Sequence, residues 1–133
     1  MAKNNDLGLL ILRVALGLLM LLHGIAKLQH GVGFISGMLS DMGMPGVFAY
    51  GVFVGEIIAP IMLIVGFRTR IAAILLAITM LVAAFTVHSN DFFNLAESGG
   101  WAIELVGLFF FGSIALICTG GGQLGVSTKN SWD

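Results

Sequence analysis

Charge is what this sequence has least of. Lys and Arg number six and Asp and Glu seven in 133 residues, 10% in all, against about 25% in a typical water-soluble domain. So few charges cannot cover a soluble surface of this size, and no stretch is long and polar enough for a soluble catalytic domain. The charges nearly cancel, at a net -1, which leaves no basic excess for a nucleic-acid partner. Cysteine occurs once, at Cys118. A lone cysteine excludes an internal disulfide, a CxxC redox pair, a c-type haem attachment and a cysteine-ligated iron–sulfur site within the chain. Cys118 itself reads as a small packed hydrophobe. A cleavable leader is not expected either. The first apolar run is too long for one and lacks a small-x-small cleavage site, so it reads as a first span that acts as its own insertion signal.

What is present is apolar length. Hydrophobic residues make up 58% of the chain and mean hydropathy is +1.03. Nineteen glycines and seven methionines suit a membrane bundle, where small residues let helices approach closely. A spanning helix needs about 20 mostly apolar residues, and four segments approach this. They run from about Leu7 to Leu28, Gly46 to Phe67, Arg70 to Val87 and Trp101 to Thr119. The pattern predicts an all-α fold, a single-domain bundle of four transmembrane helices in the lipid bilayer. Between the first two spans, Phe34, Ile35, Met38, Leu39 and Met42 recur at helical spacing, which predicts a short helix lying in the interface or dipping inward. Residues 120–133 read as a loose tail. Gly120, Gly122 and Gly125 spell a literal GxGxxG, but no strand precedes it and no helix follows, so the glycines read as a helix terminator.

Orientation follows from the basic residues. Lys3, Arg68, Arg70 and Lys129 fall on one side of a four-span chain, whereas Asp41, Asp91 and Glu97 fall on the other. The positive-inside bias places both termini in the cytoplasm of a bacterial inner-membrane protein. Phe92, Phe93 and Trp101 then belong to the outer interface.

The candidate site residues are the ionisable groups inside the spans. Such groups cost a few kcal/mol on insertion scales, so they face the protein interior and find partners. Arg13, Gly17, Met20, Gly24 and Lys27 recur at steps of four and three along the first span, with His23 beside them. The matching acids are Glu56 and Glu104. At a rise of about 1.5 Å per residue, Glu104 lies about 5 Å below the outer boundary and Glu56 roughly 15 Å deep. Depth therefore pairs Lys27 or His23 with Glu104, and Arg13 with Glu56. Pro60 lacks an N–H, so the carbonyl of residue 56 loses its helical partner and adds a polar group at mid-membrane. Interhelical ties alone would explain these charges equally well. His23 and His88 raise a two-histidine site, against a packed role for His23, and no metal is assigned. Gly51-x-x-x-Gly55 and the Ala73, Ala77, Met80, Ala84 stripe read as packing contacts.

Taken together these residues resemble the DoxX family of bacterial membrane proteins, over nearly the whole chain. Arg13, Gly17 and His23-Gly24-Ile25-Ala26-Lys27-Leu28 are similar to its R…G…xGxxKL. Phe34, Leu39 and Met42-Gly43-Met44-Pro45 are similar to its F…L…G-x-P. Gly55-Glu56 and Leu63-Ile64-Val65-Gly66-Phe67-Arg68-Thr69-Arg70 are similar to its GE…LLxGxxTR, and Glu104 falls where the family has a glutamate opening the last helix. The tail departs, lacking the family's GPG-like turn and the acid after it. The resemblance implies a subunit of a membrane oxidoreductase that interacts with quinone, because some relatives serve quinone-linked thiosulfate oxidation and others thiol-redox complexes. The chain carries no flavin motif or metal-ligand cluster of its own, so redox chemistry falls to a bound quinone or to redox partner subunits. On this reading Glu56, Lys27 and His23 act on the ligand, while Arg13 and Glu104 help bind it. Two other readings stand beside it: a small proton-coupled carrier, and a non-catalytic assembly or stress factor. A homo-oligomer fits any of the three.

Overall fold

The computed structural model describes residues 4–133; Lys3, one of the basic residues used for orientation, lies outside them. The described residues are helical, with one isolated bridge between Leu95 and Trp101. Helix α1 is Asn5–His30, α2 is Gly33–Asp41 and α4 is Thr69–Thr86. The second apolar stretch is composite, with a 3-10 turn at Gly46–Gly51, a π segment at Val54–Ile58 and α3 at Ala59–Val65. α5 is Glu104–Thr119. Three helical stretches, Asn5–His30, Gly46–Val65 and Thr69–Thr86, are long and apolar enough to cross a membrane, and α5 is a shorter apolar helix. Trp101 belongs to the loop before α5, where its indole donates to the Phe92 carbonyl at 2.7 Å.

Local chemistry explains the breaks. Pro60 sits in the first turn of α3, where a missing N–H costs little, so the π segment ends where the proline begins a new helix. Gly66 closes α3 in the left-handed conformation, φ 71°, a conformation glycine adopts without penalty. Thr69–Thr86 then returns antiparallel.

The core is made by small residues in close approach. A Cβ on Gly17 would come within 2.8 Å of the Pro60 carbonyl, and one on Gly24 would meet the carbonyl of Glu56. α1 therefore lies directly on the broken helix, and Gly24 covers the acceptor that Pro60 frees. Gly55 packs on Thr79 of α4 in the same way, whereas Gly51 faces open space; of that GxxxG pair only Gly55 is a contact. Ala73, Ala77, Met80 and Ala84 are all buried, as expected for a packing stripe. Leu16, Leu63, Leu76 and Leu116 fill the centre. Cys118, expected to be packed, is exposed on α5.

The predicted short helix is α2, with Leu39 buried and Phe34 at 75% exposure. It packs with Val32 and Ala49 into a small second core.

The tail is not loose. The N–H groups of Val126 and Ser127 donate to the carbonyls of Val65 and Gly66 at 3.1 and 3.0 Å, and Arg70 N–H donates to Trp132 at 3.1 Å. Gln123 N–H reaches Asp6 Oδ1 at 2.9 Å. The start of α1, the α3–α4 turn and the tail thus share one end of the bundle. Gly120 ends α5 at φ 78°.

Candidate functional site

Two helices bring the central ion pair together. Lys27 lies one turn beyond Gly24 on α1, and Glu56 lies in the π segment that Gly24 touches. Because Gly24 lets the backbones approach, the Lys27 side chain spans the remaining distance. Its Nζ donates to both carboxylate oxygens of Glu56, at 2.6 Å to Oε2. The Glu56 side chain is 5% exposed and that of Lys27 30%. The acid is buried and the lysine reaches toward open space, as long cationic side chains do. A lysine ammonium has three donors. Two are engaged by Glu56.

The pair forms part of the wall of a cavity of about 600 Å³. The remaining wall is apolar and aromatic, with Phe34, Met38, Phe48 and Phe109 prominent, and Thr79, Thr86 and His88 of the α4 side add polar groups. α2 and the 3-10 turn close one side. His23 also lines the cavity and stands edge-on to Phe109, ring centroids 6.2 Å apart. His88 Nδ1 lies 3.8 Å from Asp91 Oδ2. Although both histidines face one cavity, the described residues hold no group of three His, Cys, Asp or Glu placed for a metal ion.

The expected pairings are not the ones formed. Glu56 answers Lys27, not Arg13, and Lys27 does not pair with Glu104. The depth estimate treated Gly46–Gly51 as part of a regular spanning helix. That segment is a 3-10 turn packed with α2, so Glu56 meets α1 at the level of Lys27. Glu104 opens α5, is exposed, and rests against Gly100. There its charge complements the positive end of the helix. Neither Arg13 nor Glu104 lines the cavity.

Arg13 is 1% exposed at the other end. Its guanidinium donates to the carbonyls of Leu63 and Ile64, at 2.9 and 3.0 Å, and to that of Leu124 in the tail. The last carbonyls of a helix lack partners and carry partial negative charge, so the end of α3 serves as a counter-ion. Arg13 ties α1, α3 and the tail together.

Of the residues singled out in the sequence, Glu56, Lys27 and His23 line the cavity; Thr79, Thr86 and Phe109, and the place of His88 in the wall, were not anticipated. The only signal for the threonines was their place as hydroxyls in an otherwise uncharged span.

The DoxX family model matches residues 8–89, a stretch that holds Arg13, Lys27, Glu56 and the His88 wall. This chain belongs to the DoxX family. It is similar to the Bacillus subtilis (strain 168) protein named "Putative oxidoreductase CatD", with 34% identity over 87 residues, 65% of this chain and 64% of that protein. The match thus spans just under two thirds of that relative's length. An uncharacterized protein of Haemophilus influenzae is 34% identical over 122 residues, 87% of this chain and 90% of that protein. No solved structure matches the chain. As a DoxX protein it carries membrane-spanning helices in line with the apolar stretches described above.

Proposed function

We propose that this DoxX protein is a quinone-interacting subunit of an oxidoreductase in the bacterial inner membrane, and that the 600 Å³ cavity is its quinone site. The observation that carries the reading is the Lys27–Glu56 pair set in the wall of an apolar chamber. Ligand pockets are typically of roughly 300–1,000 Å³, mostly hydrophobic, with a few convergent polar groups, and this one fits. Aromatic side chains at Phe34, Phe48 and Phe109 suit a flat ring. An ionisable group kept inside a membrane is expensive and marks function by default. The oxidoreductase name of the Bacillus relative points the same way.

A bound quinone supplies two-electron, two-proton chemistry. The chain supplies a handle: the third donor of Lys27 offers a hydrogen bond to a ring oxygen, and Glu56 holds or releases a proton beside it. α2 and the 3-10 turn exclude water from one side. Arg13, at the far end, belongs to the scaffold on this reading, and Glu104 lies outside the cavity.

The bundle crosses four times, with α5 as the fourth crossing, and both termini face the cytoplasm. Support comes from Arg68, Arg70 and the Lys129 tail gathered at one end of the bundle. Topology reporters at the C-terminus that are active only outside would contradict this orientation. The ligand is tested by mass spectrometry of small molecules retained after mild purification. A quinone carried by the wild type and lost in Glu56→Gln supports the reading. A pH-driven flux in vesicles without a bound quinone points instead to a carrier, and a stable protein partner with no small molecule to an assembly factor.

A further inference from the structure

At the end of the bundle opposite the ion pair, the folded-back tail lines a second, open hollow of about 220 Å³. Its wall is polar: Arg70 stands among Thr128, Asn130, Ser131 and the glycines that end α5. Arg70 lies in the first turn of α4, with its guanidinium beside Gly120, where a Cβ would come 3.5 Å from Nε. One terminal nitrogen makes only a long 3.5 Å contact with the Cys118 carbonyl. Nε is sealed from solvent with no partner. A guanidinium is a planar fork suited to two oxygens at once, and its terminal nitrogens, not the enclosed Nε, are the donors left for a ligand.

The Asp133 side chain shares the wall, and its Oδ2 is already answered. Asp133 Oδ2 accepts from the Ser127 hydroxyl at 2.8 Å and the Asn130 N–H at 2.7 Å. Arg68 lies 3.5 Å from Oδ1. Arg68 pairs with Asp133, and among the described residues no carboxylate lies within salt-bridge distance of Arg70.

We propose that this hollow binds a phosphate group, held by the Arg70 fork with the hydroxyls of Thr128 and Ser131 beside it. The setting favours a phospholipid headgroup. Arg70 opens a helix long and apolar enough to cross a membrane, so the hollow lies at headgroup depth. Around it Leu124, Val126 and Trp132 are 49%, 77% and 52% exposed, an apolar surface for lipid with a tryptophan of the kind that anchors at the interface. A soluble phosphate compound offers the same chemistry, and the experiment separates the two sources.

The full chain in detergent is titrated with phosphatidylglycerol by native mass spectrometry, and separately with inorganic phosphate by calorimetry. Arg70→Gln weakens the bound arm about tenfold, the scale of one charge-assisted hydrogen bond. A Thr128→Val/Ser131→Ala double variant weakens it less. Lys129→Gln removes an equal charge from the same tail but outside the hollow, and leaves binding unchanged. Loss confined to the lipid arm identifies a headgroup site, and loss confined to the phosphate arm identifies a soluble ligand. The proposal is overturned if Arg70→Gln, folded by circular dichroism, binds both probes like the wild type. It is equally overturned if Lys129→Gln loses as much as Arg70→Gln, which would mean net charge alone. Should Arg70→Gln fail to fold, Arg70→Lys, which keeps the charge but not the fork, is read together with the double variant in its place; wild-type binding in both overturns the proposal.

Discussion

Arg13 and Lys27 lie about four turns apart on one helix, and the fold treats them in opposite ways. Arg13 is fully enclosed and meets only backbone carbonyls, at the end of α3 and in the tail. Lys27 is one-third exposed, meets a buried carboxylate, and borders a large cavity. The first arrangement has no room for a ligand and no acid to take a proton. The second has both. A buried cation by itself therefore says little about function; what answers the charge, and whether space adjoins it, says more.

The largest effect expected from breaking this comparison falls on stability at Arg13. Arg13→Leu removes a donor from the Leu63, Ile64 and Leu124 carbonyls and one of the ties that hold the tail, at about 4 kcal/mol given the cost of unmet buried acceptors. Ligand retention per folded molecule stays near wild type. Unfolding in detergent together with the bound-ligand ratio checks both halves.

Lys27→Met leaves Glu56 uncompensated and costs about 3 kcal/mol. Adding Glu56→Gln recovers much of that loss, whereas adding Glu104→Gln to Lys27→Met is additive. Coupling of Lys27 to Glu104 in such a cycle would contradict the ion pair described here.

Smaller again is the effect of adding a methyl group to α1. Gly24→Ala drives a Cβ into the Glu56 carbonyl and costs about 2 kcal/mol through overpacking. It also disturbs the ion pair one turn away. Gly8→Ala meets nothing within 4 Å and changes stability by less than about 1 kcal/mol. Equal losses at both positions would remove the argument from close approach.

The smallest effect is acid release of the tail. Burial pushes the Asp133 carboxyl up, but hydrogen bonds from the Asn130 N–H and the Ser127 hydroxyl, with the Arg68 charge, outweigh it and hold it below 3.8. A depressed folded pKa contributes stability that is complete above the unfolded value and is lost as pH falls through the folded one. Protection of the residue 120–133 amides, taken relative to their intrinsic exchange rates, should therefore hold above about pH 4 and fall only in stronger acid.

Much of the fold was legible because apolar runs near span length have few alternatives, and α2 was visible in its helical spacing. The candidate site was legible by residue type but not by partner. Charges in a sequence invite pairing with opposite charges, so Arg13 was matched to an acid, whereas helix-end carbonyls carry no sequence label. The partner of Lys27 depended on how the Gly46–Gly51 turn and the π segment set Glu56 against α1, and hydrophobic periodicity does not report such breaks. The docked tail rests on backbone hydrogen bonds from Val126 and Ser127, which leave no side-chain signature.

The account's central claim is that the Lys27–Glu56 cavity, and not the Arg13 end, is the working site. Its most direct test is native mass spectrometry of the mildly purified chain in three forms: wild type, Glu56→Gln and Arg13→Lys. The account predicts a co-purifying quinone in the wild type, retained in Arg13→Lys and lost in Glu56→Gln. A quinone retained equally in Glu56→Gln, or lost only when Arg13 is changed, would contradict it.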